Sequence, residues 1–408
     1  MKQVYQRWIK NKITSSVSKN KIKLIFGARQ TGKSTLLKEL SDNKSVVINL
    51  QDRSERIRFE RNPQELTGML KAIKTSQTVL IDEIQKVPQL LDDIQSIYDE
   101  NPSKYNFVIT GSSARKLRGV SVNLIPGRVH QYHSFPVIMC ERKKSKQSAV
   151  LEMPLEKNWA PGFPEPDIES MLLYGSLPGI IQEKPESARA TLEAYAELYI
   201  EEEIRKESLV RNIGQFSRFL ELAALESGNI MNLTGLSQQS GIAVTTLSLF
   251  YQVLVDTFVG YWLKPFSSKS RKRLLTTPKF YFFDTGVRNA LARLAFDKNT
   301  LKLQSGLLFE QWVITELLHR CAYLGREYRL SFWKTVSGVE VDLVLEKPGE
   351  VIPIEVKWTD SPNYSDAKSL EIFLDTHPKI CHHGFIVCRT PRRLQITKRV
   401  MAIPYDEL

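Results

Sequence analysis

The chain has 408 residues, with 57 Lys and Arg against 45 Asp and Glu for a formal net charge of +12. A composition that is 42% hydrophobic and 25% charged excludes a disordered or collagen-like chain, and the length suits roughly two to four folded domains. No stretch approaches the ~18 uncharged apolar residues of a membrane span and no secretory signal precedes the first apolar run, so the chain is expected to be cytoplasmic with no membrane partner.

Residues 1–38 contain ten Lys or Arg and no acid. Organelle-targeting leaders share that bias, but a strand is predicted from Ile22, which assigns the segment to the folded domain. The apolar run Ile22 to Phe26 reads as a buried strand. Directly after it, Gly27-Ala28-Arg29-Gln30-Thr31-Gly32-Lys33-Ser34 completes the pattern G-x-x-x-x-G-K-[ST], and Thr35 to Leu40 opens a helix. Glycines let backbone N–H groups turn around phosphate oxygens, and the positive end of the helix faces the anion. All eight loop residues and Thr35 are therefore candidate nucleotide-binding residues. Lys33 would reach the β- and γ-phosphates of a bound nucleotide, and the Ser34 hydroxyl would hold Mg²⁺.

A second apolar run, Thr78-Val79-Leu80-Ile81, ends in Asp82-Glu83, placing two acids at the carboxyl edge of a parallel sheet beside the loop. Asp82 would hold Mg²⁺ through water, and Glu83 would orient and deprotonate the attacking water. The strand Tyr105 to Ile109 ends in Thr110-Gly111-Ser112-Ser113, which is either a γ-phosphate sensor at Ser112 or Ser113 or a plain turn. In Leu124-Ile125-Pro126-Gly127-Arg128-Val129, one arginine follows that segment.

This order of motifs resembles AAA+ ATPases. The resemblance implies ATP and Mg²⁺ as cofactors and a homo-oligomer, as a ring, in which Arg128 reaches a neighbouring subunit's nucleotide. Arg115 and Arg118 are rival fingers.

The ATPase core is expected over 1–140, ending near Pro136. Residues 141–212 read as a Pro-rich linker and a helical segment, with the acidic run Glu201-Glu202-Glu203 as a solvated face. Over 213–284, a helix Leu233 to Gln239, a turn at Ser240-Gly241 and a helix from about Val244 to Val255 precede two apolar strands, Phe258 to Leu263 and Phe280 to Phe283. Helices followed by such a hairpin make a winged helix. The hairpin carries Lys264, Lys269, Arg271, Lys272, Arg273 and Lys279 without an acid between them, whereas residues 243–256 hold no Lys or Arg. With the net positive charge, this pattern predicts sequence-neutral binding to the DNA backbone; the alternative is a winged helix that serves packing alone.

The last segment, about 300–408, contains a further constellation. Alternation in Gly338 to Glu346 puts Val339, Val341, Leu343 and Leu345 on one face and Glu340 and Asp342 on the other. After a turn at Lys347-Pro348-Gly349, the run Ile352 to Trp358 alternates likewise and sets Glu355 and Lys357 opposite the apolar residues. Upstream, Glu310 lies on a helical stripe with Leu307, Val313, Ile314 and Leu317, where a carboxylate needs compensation. Glu310, Asp342, Glu355 and Lys357 together resemble the PD-(D/E)xK nuclease superfamily, which implies Mg²⁺ binding and water activation on a phosphodiester. Cys140, Cys321, Cys381 and Cys388 show no paired spacing and are expected to be reduced thiols. The cluster His377, Cys381, His382, His383 and Cys388 matches no zinc module.

The whole chain resembles prokaryotic AAA-type ATPases with a C-terminal domain of uncharacterised function and a nuclease-like core. The fold so implied is α/β: an AAA+ P-loop core with a parallel sheet, a helical segment, a winged helix, and a C-terminal restriction-endonuclease-like domain. Two functions compete: an ATPase acting on DNA, including branched or forked DNA, whose C-terminal domain binds or cuts it, and an ATP-dependent switch or scaffold with inert C-terminal acids.

Overall fold

A computed structural model describes residues 5–408 apart from 16, 18–19, 114–126, 144–147, 157–158, 166, 207–212 and 268–276, with backbone alone at 198–206. It divides into two compact units. One comprises Met1–Phe135 with Val253–Val259, and the other Pro136–Gln252 with Gly260–Leu408.

The first unit is built on five strands: β1 (Ile22–Phe26), β2 (Val46–Asn49), β3 (Gln77–Asp82), β4 (Tyr105–Gly111) and β5 (Val129–His133). Their spatial order is β2-β3-β4-β1-β5, and every neighbouring pair is parallel. Helices Lys33–Leu40, Arg53–Arg61, Glu65–Lys71 and Leu90–Glu100 supply the crossovers that parallel strands require. Burial explains the apolar runs: all five residues of β1 are buried, as are Val79, Leu80 and Ile81 of β3 and Phe107, Val108 and Ile109 of β4. In Leu90–Glu100, Leu90, Leu91, Ile94 and Ile97 face the core with helical spacing. Because the strands are parallel, the segments following all five meet at one edge of the sheet, and each carries polar side chains.

The basic amino-terminal segment belongs to this unit. Trp8–Thr14 is a helix that buries Trp8, Ile9 and Ile13.

The second unit holds an eight-stranded mixed sheet, formed by β6 (Gly260–Pro265), β7 (Lys279–Phe282), β8 (Arg329–Lys334), β9 (Glu340–Lys347), β10 (Glu350–Val356), β11 (Gly384–Cys388), β12 (Leu394–Gln395) and β13 (Val400–Pro404). The spatial order is β12-β13-β11-β10-β9-β8-β6-β7. The helix pair expected of a winged helix is present at Leu233–Ser240 and Val244–Asp256, and its hairpin is β6 with β7. That hairpin is not a free wing: Lys264 and Pro265 of β6 pair in parallel with Ser331 and Phe332 of β8. One sheet thus runs through the segments assigned separately to 213–284 and 300–408.

The long helix Lys298–Leu324 buries Val313, Ile314 and Leu317 against this sheet. Leu307, expected on the same stripe, is 50% exposed. The buried face instead takes Leu308, Phe309 and Trp312, a stripe displaced by one residue. The four cysteines are free and buried. No described helix is long and apolar enough to cross a membrane.

Candidate functional site

The turn after β1 is held from below. Gly27 lies so close to the segment after β5 that a Cβ there would stand 2.3 Å from the Ser134 carbonyl oxygen, so only glycine fits. Gly32, in the left-handed region at φ 90°, caps the helix Lys33–Leu40 and points its first N–H groups towards the turn. The Ser134 hydroxyl donates to the Thr31 carbonyl at 2.9 Å. The buried Arg7 guanidinium donates to the same carbonyl at 2.8 Å and to the Phe135 carbonyl at 2.7 Å. Lys33 folds back onto the loop, its Nζ donating at 2.8 Å to the carbonyls of both Gly27 and Ala28. Arg29 and Gln30 form the outer rim, with Gln30 exposed and left-handed at φ 62°, and Thr35 is exposed on the first helical turn.

Ser34 and Asp82 are linked through a residue that no motif singled out. Gln51, two residues past β2, donates one carboxamide nitrogen to Ser34 Oγ at 3.3 Å and to Asp82 Oδ2 at 3.1 Å. The other Asp82 oxygen accepts from the Thr110 hydroxyl at the end of β4. A hydroxyl and a carboxylate bridged by one amide fit the coordination of a Mg²⁺ ion carried with ATP. Glu83 takes a left-handed conformation at φ 61°, and its N–H donates to Thr110 Oγ1 at 3.1 Å. Its Oε2 accepts from Ser112 Oγ at 3.1 Å and from the Gln85 carboxamide, which also donates to Ser112 at 2.7 Å. Of the two sensor candidates, Ser112 therefore touches Glu83; Ser113 is buried beside it. Gln51, Gln85 and Arg7 lie outside any spacing motif, and only the parallel strand ends gather them here.

Arg128 lies at the opposite edge. It immediately precedes β5, whose Val129 pairs with Ile22, the first residue of β1, and its guanidinium is ion-paired with Asp99 at 2.5 Å. Five residues of strand separate it from the loop, about 16 Å along the sheet. Arg128 consequently lies at the far end of β1 from the loop of its own chain. Arg115 and Arg118 lie outside the described residues.

In the second unit, the pairing of Leu343 with Ile354 sets Asp342 beside Glu355, and Asp342 Oδ2 accepts from the Val356 N–H at 2.8 Å. Glu355 accepts from Lys357 Nζ at 2.7 Å and from Ser369 Oγ at 2.9 Å. Glu310, on the long helix, accepts from the Tyr281 hydroxyl at 2.9 Å and lies 3.6 Å from Lys279 Nζ. Burial, with Glu355 and Glu310 nearby, pushes the Asp342 carboxyl well above the usual range. Burial also raises Glu355, against the pull of Lys357.

All four nuclease-like residues are thus brought together, but one oxygen each of Glu310 and Asp342 and both oxygens of Glu355 already have hydroxyl, amide or ammonium donors. Among the described residues, no group of three or more His, Cys, Asp and Glu is arranged to hold a metal ion. A divalent ion does not fit the cluster as it stands.

Lys279 departs from expectation. Instead of facing solvent on a wing, it is 5% exposed and sits in this cluster, because β7 turns its side chain towards Glu310 and Glu340. Lys264 is exposed, while Lys269, Arg271, Lys272 and Arg273 lie outside the described residues.

Comparison with known proteins matches residues 19–142 to an AAA domain family. Over those residues the first unit is similar to AAA domains. Outside that stretch, residues 165–298 and 305–408 each match a domain of unknown function, DUF8612 and DUF4143 respectively. An uncharacterised protein of Mycobacterium tuberculosis is 23% identical over 390 residues, covering 94% of this chain and 80% of its own length. An uncharacterised protein of Haemophilus influenzae is 23% identical, covering 89% of each chain. One from Methanocaldococcus jannaschii is 24% identical, covering 86% of this chain and 78% of its own. Among solved structures, the Aeropyrum pernix ORC1 protein in complex with DNA aligns at 14% identity and TM-score 0.32, covering 72% of this chain and 94% of that one. The Thermotoga maritima RuvB Holliday junction branch migration motor aligns at 15% identity and TM-score 0.27, covering 65% and 92%.

Proposed function

We propose that this protein is an oligomeric ATPase that hydrolyses Mg²⁺-ATP and couples the hydrolysis to work on DNA. The reading rests chiefly on the meeting of Lys33, Ser34, Asp82, Glu83 and Ser112 at the carboxyl edge of one parallel sheet. When ATP binds, Lys33 exchanges the carbonyls of Gly27 and Ala28 for phosphate oxygens. Mg²⁺ supplies charge neutralisation at the phosphates. Ser34 and Asp82 would hold the ion, and Glu83, hydrogen-bonded to Gln85 and Ser112, would take the proton of the attacking water. Arg128, remote from its own nucleotide, is assigned to a neighbouring subunit's phosphates, which needs a head-to-tail homo-oligomer such as a ring.

DNA is the partner favoured by the net charge of +12 and by Lys264 with the cations at 269–273. A second reading is favoured for the C-terminal unit: with Lys279 and Lys357 on its carboxylates, it contributes to binding or assembly without cutting. ATP turnover with and without linear or four-way DNA tests the proposal. Lys33→Ala is expected to lose nucleotide binding. Glu83→Gln should keep binding while turnover falls by about 10²- to 10⁴-fold. Unchanged turnover in both variants refutes the ATPase assignment, and no gel shift at low salt refutes the DNA partner.

A further inference from the structure

The carboxylate cluster of the second unit is balanced by ammonium groups from β7, β8 and the residue that follows β10. Lys279 Nζ lies 2.6 Å from Glu340 Oε1 and 3.6 Å from Glu310 Oε1, over the Phe332 ring at 5.4 Å. Lys334 Nζ closes the other Glu340 oxygen at 2.8 Å, and Lys357 closes Glu355. Tyr281, two residues along β7 from Lys279 and on the same face, donates to the Glu310 oxygen that also meets the ammonium. A lysine as buried as Lys279 is tolerated only where anions surround it. Its strand precedes the long helix, so the charge comes from outside the four-residue constellation that defines the nuclease-like pattern.

We infer that Lys279 is a resident cation of this cluster, occupying the electrostatic role of a divalent metal, and that it keeps the native chain from taking up a divalent ion at Glu310, Asp342 and Glu355. The inference rests on the reading of these acids as one site. Removing the ammonium while keeping the stem leaves Glu310 and Glu340 short of a positive charge beside Asp342, an imbalance that a divalent ion restores.

Mn²⁺ binding to the full chain without nucleotide tests this, by the paramagnetic resonance signal of the free ion. An Asp82→Asn background removes uptake at the phosphate loop. Lys279→Met is expected to bind Mn²⁺ at least about tenfold more tightly than that background, as loss of one competing charge at this range requires. Adding Asp342→Asn should reverse the gain. Equal or weaker uptake by Lys279→Met, with a native circular dichroism spectrum, overturns the inference, as does tight uptake already present before the change. Should Lys279→Met not fold, Lys279→Gln, which keeps a hydrogen-bond donor for Glu340, is held to the same outcomes. ATP turnover in the Lys33→Ala and Glu83→Gln chains reads the ATPase assignment separately, since neither residue belongs to this cluster.

Discussion

Arg7→Met is expected to loosen the phosphate loop without touching any motif residue. The guanidinium is 4% exposed and makes two short hydrogen bonds, to the carbonyls of Thr31 at 2.8 Å and Phe135 at 2.7 Å. A hydrogen bond from a charged donor contributes about 1.5–3 kcal/mol, so the pair sets an upper limit near 6 kcal/mol. Two corrections lower it. The Thr31 carbonyl keeps the Ser134 hydroxyl as a donor, and methionine spares the chain the desolvation of a buried cation. About 2–4 kcal/mol of local stability should be lost, and Arg7→Lys, which can reach one carbonyl, should recover roughly half. Hydrogen exchange across residues 22–40 measures the loosening, and titration with a fluorescent ATP analogue measures its cost in affinity, expected at about tenfold because a preorganised loop is lost. Protection unchanged to within about 0.5 kcal/mol in Arg7→Met would refute the claim that this buried arginine fixes the loop.

Two further outcomes follow from the same edge of the sheet. Gln51→Ala removes a carboxamide that competes with Mg²⁺ for Ser34 and Asp82. At about 0.5–1.5 kcal/mol for its hydrogen bonds, the Mg²⁺ concentration giving half-maximal turnover should fall by about 3- to 10-fold with kcat retained, and a rise would show that Gln51 assists the ion. Burial lowers the His133 imidazole to about 4, from an ordinary value near 6.5. The folded state then binds fewer protons than the unfolded one between those values. The stability this contributes is present above pH ~6.5 and is lost as pH falls towards 4, by at most about 1.4 kcal/mol per unit and about 2–3 kcal/mol in all after allowing for solvent at the ring edge. His133→Phe keeps a ring against Phe135, whose centroid is 5.9 Å away, and should flatten that slope in denaturation series from pH 7 to 4; identical slopes would refute it.

The phosphate loop, the two acids at the end of β3 and the hydroxyls at the end of β4 were legible because each is a contiguous run whose chemistry depends on local spacing. The same holds for the alternation that pairs Asp342 with Glu355, since a two-residue period on facing strands leaves one register that buries both apolar faces. The stripe on the long helix was legible only approximately: Leu307 and Leu308 are adjacent apolar residues, and the packing surface chose between them.

Lys279 marks the limit most clearly. In the sequence it is one cation of a basic, acid-free segment, indistinguishable from Lys264 a strand away. β6 pairing with β8 turns one of them outward and buries the other among carboxylates more than thirty and sixty positions downstream. Gln51, Gln85 and Arg7 are the same case at the nucleotide edge. By itself, then, the sequence determined the phosphate-loop run, the acids and hydroxyls at the strand ends and the alternating strands, because local order suffices for each. Which polar groups surround that chemistry, and whether the C-terminal acids face a metal or a lysine, was decided only by tertiary structure, because strand order and side-chain burial bring together charges that no sequence spacing connects.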